Sequence, residues 1–141
     1  MHSTQHLPHK RILVVEDCFL ARERMSLLLG ENGYMVSTAA NGAEAIERLR
    51  TSCRPDLILL DLRMPVMDGW TLREELKRDP ELSVIPVVVL SGLDEGGEQM
   101  SSLEAARFLH KPVELDELLL TVQQCCKEVK PRTEQPPALS P

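Results

Sequence analysis

The sequence predicts an α/β protein of the doubly wound class, a five-stranded parallel sheet with helices on both faces. Three observations carry that prediction. Short β-prone runs alternate strictly with segments of helical period, which is how successive βαβ units read. The run Leu57-Ile58-Leu59-Leu60 is apolar throughout, as in a strand covered on both faces. Several runs also end on residues with chemistry, Asp61 above all, and sheets of this class bind ligands at the carboxyl ends of their strands.

The first strand is Arg11 to Val15 (RILVV). Ala21, Met25, Leu28 and Leu29 then recur at helical spacing, with Gly30 and Asn32-Gly33 as the stop. Tyr34 to Thr38 is brief and only partly apolar, which suits a strand near the sheet edge. Asn41 is the expected N-cap of a helix whose inner face is Gly42, Ala45, Ile46 and Leu49. Asp56 to Asp61 is the third strand. Asp68-Gly69 opens a helix carrying Leu72 and Leu76, and Asp79-Pro80 closes it. Ile85 to Leu90 is the fourth strand and finishes on Ser91-Gly92. A turn at Gly96-Gly97 leads to a short helix near Glu98 to Ala105, then a short strand at Arg107 to His110 followed by Lys111-Pro112. The last helix carries an apolar stripe at Leu115, Leu118, Leu119, Val122 and Cys126.

The 141 residues are expected to form one domain over 10–128, between a flexible leader (1–9) and a disordered Pro-rich tail (129–141). His2, His6 and His9 fall in that leader and read as part of it rather than as a metal site. No apolar run is long enough to span a membrane, and a cytoplasmic protein is expected. The net charge of -6 argues against a nucleic-acid surface, which draws on clustered Lys and Arg. Cys18, Cys53, Cys125 and Cys126 lack CxxC spacing and are expected as reduced thiols.

In a parallel sheet the strand ends gather on one edge, here Glu16-Asp17, Asp61, Ser91-Gly92 and Lys111-Pro112. Three neighbouring carboxylates repel unless a cation sits among them, and a small set of hard oxygen ligands suits Mg²⁺, with Mn²⁺ as the alternative. A divalent metal, an ammonium and a hydroxyl around a carboxylate are what transfer of a phosphoryl group to that carboxylate requires, because the work is positioning and neutralising three oxygens.

With the motifs VVEDC, LLDLRMPVMDG, VVVLSG and FLHKP in place, the chain resembles the receiver domain of bacterial two-component response regulators over about Lys10 to Glu128. The resemblance implies a flavodoxin-like sheet of strand order 2-1-3-4-5. It implies Asp61 as phosphoacceptor, and Mg²⁺ held by Asp61, by Asp17 directly, by Glu16 directly or through water, and by the backbone carbonyl of Arg63. Ser91, with Gly92 beside it, takes the switch hydroxyl position, Lys111 the phosphoryl-binding lysine, Phe108 the aromatic switch, and Lys111-Pro112 is expected to be cis. The implied partners are a histidine kinase or phosphotransfer protein and a downstream protein target. A homodimer could form through the helix before the fifth strand, that strand and the last helix.

Two departures from the family pattern stand out. The stretch Leu103-Glu104-Ala105-Ala106-Arg107-Phe108 lacks the usual Gly-Ala turn and reads about two residues short, either a harmless deletion or a change to the output surface. The residues two past the acceptor and two past the switch hydroxyl, Arg63 and Leu93, are poorly suited to orient an attacking water, so a long-lived aspartyl phosphate is expected. The expected function is a stand-alone phosphoacceptor switch, not a turnover enzyme. Two rivals are a binding module of the same shape regulated without phosphorylation, and a Mg²⁺-dependent phosphohydrolase; the second lacks its Asp-x-Asp, since Leu62-Arg63 follows Asp61.

Overall fold

The computed structural model describes residues 10–92 and 103–129. In chain order the elements are β1 (Arg11–Val15), α1 (Phe19–Glu31), β2 (Met35–Ala39), α2 (Gly42–Thr51), β3 (Leu57–Asp61), α3 (Gly69–Arg78), β4 (Val87–Ser91), β5 (Arg107–His110) and α4 (Leu115–Val129). The strands form one parallel sheet in the order β2-β1-β3-β4-β5. This is the flavodoxin-like order that the sequence implies.

The apolar strands are continuous because both faces are covered, and alternate residues go to opposite layers. Ile12, Val14, Leu57, Leu59, Val88 and Leu90 pack under α1 and α4, against Met25, Leu29, Leu118, Val122, Cys125 and Cys126. Leu13, Val15, Ile58, Leu60, Val87 and Val89 pack under α2 and α3, against Ala45, Leu72 and Leu76. Each fully buried Leu or Ile contributes about 1.5–3 kcal/mol relative to exposure. Cys18 and Cys53 are exposed, whereas Cys125 and Cys126 lie in the core, and none of the four is in a disulfide.

Local signals set the helix ends. Asn41 accepts a hydrogen bond from the Glu44 amide (2.9 Å), and Asp68 does the same for Thr71 (2.9 Å). Asn32 ends α1, and Gly33 takes φ +93, the left-handed turn that glycine adopts without a Cβ penalty.

Four elements differ from the sequence reading. β3 starts at Leu57 rather than Asp56, whose side chain accepts from the Arg11 amide (2.8 Å) ahead of the ladder. β2 runs one residue later, because the Tyr34 amide still donates to Leu29 O at the end of α1 (3.1 Å) and Ala39 pairs with Val15. β4 starts at Val87 rather than Ile85: the Ile85 amide turns back to Leu82 O (3.1 Å), and Pro86 has no N–H to give a ladder. The strand then includes Ser91, whose carbonyl accepts from the Lys111 amide (2.7 Å). Of the helix expected near Glu98 to Ala105, Leu103–Ala105 is turn and irregular chain, with Glu104 at φ 53, a left-handed value that an α-helix does not contain. The remainder of that helix, the Gly96-Gly97 turn, the leader and residues 130–141 lie outside the described residues.

Candidate functional site

Backbone pairing aims the side chains of the acidic edge. The Glu16 amide donates to Ala39 O (3.0 Å), prolonging the ladder past the end of β1 and fixing the turn that carries Glu16-Asp17. Glu16 is 2% exposed and accepts from the Cys18 amide through Oε2 (3.2 Å), while Asp17 is exposed. Asp61 is the last residue of β3 and is also 2% exposed. α3 can start against it only because residue 69 is glycine: a Cβ there would stand 2.5 Å from Asp61 O.

On the other flank Ser91 ends β4, wholly buried, and its Oγ has no hydrogen-bond partner among the described residues. Gly92 beside it is half-buried. The Lys111 amide is latched to Ser91 O, and the Lys111–Pro112 peptide is cis. From there the Lys111 ammonium reaches Asp61 Oδ1 at 2.8 Å and Glu16 Oε1 at 3.6 Å.

The electrostatics follow from burying carboxylates together. Desolvation, then the Asp61 charge, pushes the Glu16 carboxyl from 4.5 up to about 7. Asp61 is also raised by burial, although its hydrogen bond to Lys111 and that cation's charge pull the other way. Burial disfavours the Lys111 ammonium, but the hydrogen bond and charge of Asp61, with Glu16 behind it, outweigh that and raise its pKa. The cluster therefore keeps its cation, and Glu16 is about half protonated at neutral pH.

One carboxylate oxygen from each of Glu16, Asp17 and Asp61 lies within 4.8 Å of the others. Oxygen-only donors, two buried and one facing solvent, fit a hard divalent cation that keeps some of its water. A neutral buried hydroxyl without a partner at the end of the neighbouring strand and an ammonium 2.8 Å from Asp61 add donors suited to the oxygens of a tetrahedral anion.

Phe108 pairs with Val89 in the sheet and is 38% exposed. Arg63 is exposed two residues beyond Asp61, and Leu93 lies outside the described residues. Sequence reasoning missed three contributors. Arg22 on α1 donates from Nη1 to Glu16 O (2.8 Å) and more distantly to Asp17 O (3.4 Å). Helical side chains lean toward the N-terminus, so an arginine one turn into α1 was a readable signal for a reach back over the acidic turn. Gly42 gives the second: its amide donates to Met67 O (2.9 Å), and a Cβ would meet that side chain at 2.7 Å, so it seats the loop after Asp61. The third, Arg73 on α3, is buried and donates to Leu103 O (2.6 Å) and Glu104 O (3.2 Å), fixing the chain that leads into β5.

Comparison with known proteins agrees with this geometry. The profile of the response regulator receiver domain family matches residues 12–123, and the chain belongs to that family. Response regulator MprA of Mycobacterium avium is 36% identical over 123 residues, which are 86% of this chain and 53% of that protein. Response regulator PleD of Caulobacter vibrioides is 42% identical over 106 residues, 74% of this chain and 23% of that protein. The chain thus spans about half the length of MprA and less of PleD. Among solved structures, the signal receiver domain of a histidine kinase from Syntrophus aciditrophicus superposes with TM-score 0.78 at 38% identity, covering 86% of this chain and 93% of that one. The chemotaxis response regulator CheY4 of Vibrio cholerae superposes with TM-score 0.76 at 28% identity, covering 84% and 99%.

Proposed function

We propose that this chain is a phosphoacceptor switch, in which Asp61 takes a phosphoryl group from a histidine kinase or phosphotransfer protein and the change is read by a downstream protein. The observation that carries the proposal is the pairing of Lys111 Nζ with Asp61 Oδ1 at 2.8 Å, with the buried, unpartnered Ser91 hydroxyl on the neighbouring strand end.

The chemistry needs little beyond placement. An Asp61 oxygen attacks the phosphorus of a phosphohistidine, the P–N bond breaks, and the imidazole leaves with the bonding pair and picks up a proton. Lys111 and Ser91 receive the phosphoryl oxygens, and β3 with Gly69 behind it keeps the nucleophile from retreating. Glu16, Asp17, Asp61 and the Arg63 carbonyl would hold Mg²⁺ or Mn²⁺, which when bound supplies the neutralising charge for the incoming group. Phosphorylation adds charge and acceptor oxygens, drawing Ser91 and Lys111 inward. Phe108, now partly exposed, then turns toward the space beside Ser91 and alters the surface around β5. With Arg63 two residues past Asp61 and Leu93 two past Ser91 in the sequence, neither suited to orient an attacking water, the aspartyl phosphate is long-lived.

The donor's docking face is α1. Phe19, Leu20 and Leu27 are each at least 60% exposed on it. Beside them a cleft of about 290 Å³, lined by Cys18, Ala21, Met25, Pro112, Val113 and Leu115, opens next to Glu16 and Lys111. A partner helix with an apolar stripe and a histidine fits that arrangement. Among the described residues no helix is long and apolar enough to cross a membrane, and we place the protein in the cytoplasm.

Incubation with Mg²⁺ and a small phosphodonor is expected to add one phosphoryl mass to the wild type and none to Asp61→Asn. If neither a small donor nor a kinase adds the mass to the wild type, the binding-module reading replaces this one. If Asp61→Asn still gains it, the acceptor lies elsewhere.

A further inference from the structure

We infer that Arg22 is a positioning residue for the acidic edge: a guanidinium clasp on the carbonyls of Glu16 and Asp17 that holds the turn in its metal-binding shape. The inference deepens the phosphoacceptor reading and rests on it.

The turn between β1 and α1 has an unusual task. It presents one buried and one exposed carboxylate toward a third, Asp61, with all three ligand oxygens within 4.8 Å. Repulsion among these acids, offset only in part by Lys111 on Asp61 and Glu16, acts to open the turn. The helix that follows gives the turn little help. Cys18 sits at the N-cap of α1 with no side-chain capping bond, and the first turn of α1 contains no acidic residue. Beyond the Glu16 amide on Ala39 O, what secures the turn comes from one turn into the helix. Arg22 Nη1 donates to Glu16 O at 2.8 Å and lies 3.4 Å from Asp17 O, while the Arg22 amide closes the helix onto Cys18 O at 2.9 Å.

The guanidinium is itself held in place, 5.6 Å from the centroid of the Phe19 ring. Both contacts come from one nitrogen, Nη1, whose two N–H bonds are fixed in the guanidinium plane, whereas an ammonium on a shorter stem lacks that fixed direction. Arg22 touches neither carboxylate, so it acts through the backbone: it sets where Glu16 and Asp17 start, and their side chains do the binding. Preorganisation of this kind is read in metal affinity rather than in stability alone, because the ordering cost falls on the metal-binding step once the clasp is removed.

The test is a calorimetric Mg²⁺ titration of the unphosphorylated protein, at a temperature where circular dichroism shows each variant folded. Arg22→Met keeps the aliphatic stem and loses the donors; it is expected to weaken Mg²⁺ binding about tenfold, the worth of a hydrogen bond to a charged donor. Arg22→Lys is expected to fall between Arg22→Met and the wild type. Arg24→Met, which removes one cation from the same helix, is expected to bind within twofold of the wild type. Equal affinity in Arg22→Met and wild type overturns the proposal. So does full wild-type affinity in Arg22→Lys, which would make charge rather than the clasp responsible and which decides the matter alone if Arg22→Met does not fold. A wild type that takes neither Mg²⁺ nor a phosphoryl group refutes the phosphoacceptor reading instead, a result distinct from either.

Discussion

α1 and α3 begin alike and are built for different work. Each follows a strand that delivers an acid to the same edge, and each sends one arginine to two successive backbone carbonyls, Arg22 to Glu16 and Asp17, Arg73 to Leu103 and Glu104. α3 is tied down at its start and along its inner face: Asp68 caps it, Leu72 and Leu76 are fully buried, and even Arg73 is 5% exposed. α1 lacks a side-chain cap and keeps Phe19, Leu20 and Leu27 in solvent. The contrast teaches that the same arginine device serves the frame in α3 and the site in α1, and that stability and contact are divided between the two helices.

The sharpest way to break this contrast is Arg73→Met. It leaves the Leu103 and Glu104 carbonyls without their donor, which outweighs the relief from no longer burying a cation, so a loss of about 2–3 kcal/mol in denaturant unfolding is expected. A change below 0.5 kcal/mol would mean that α3 is not the framework helix.

Next in size is the pH response of the acidic edge. Glu16 titrates near 4.5 when unfolded and near 7 when folded. The folded state therefore holds the extra proton between those values, and this contribution to stability is lost as pH rises through about 7. Metal-free protein is expected to melt several degrees lower at pH 8 than at pH 5.5, and added Mg²⁺ to stabilise it more at pH 8, where no proton competes. Scanning calorimetry of Glu16→Gln is expected to flatten this profile; an unchanged profile would assign the effect to other groups.

Smaller is the cap difference. Asp68→Ala is expected to cost about 1 kcal/mol, whereas Cys18→Ala should leave urea midpoints nearly unchanged because that position supplies no capping bond. Smallest in stability is Leu27→Gln, within about 0.5 kcal/mol. The same variant is expected to slow phosphoryl transfer from a kinase while leaving reaction with a small phosphodonor intact. A uniform loss with both donors would remove α1 from the docking role.

Much of this was legible in the chain itself. The apolar runs of β1, β3 and β4 announce a sheet covered on both faces, and the acids, serine and lysine that close those runs mark the working edge. What escaped was carried by bonds from side chains to distant backbone. Arg73 and Leu103 are thirty residues apart, and no period or motif pairs a helical arginine with a carbonyl in another connection. Seating of the loop after Asp61 by Gly42 was hidden for the same reason. The misplaced strand bounds arose where amide donors still belonged to a preceding turn, a matter of hydrogen-bond partners that residue type does not specify.

The two adjacent core cysteines give the molecule a chemical clock. Burial pushes the Cys126 thiol up to about 11, so the nucleophilic thiolate is scarce at neutral pH and the sulfur is shielded by α4 and the sheet. Cys18 and Cys53 meet an alkylating reagent at once. A chain that has gained two labels is folded, and each molecule that gains four has recorded a moment when α4 left the sheet. Counting labels by mass, with and without a phosphoryl group on Asp61, times the opening of that layer in each state.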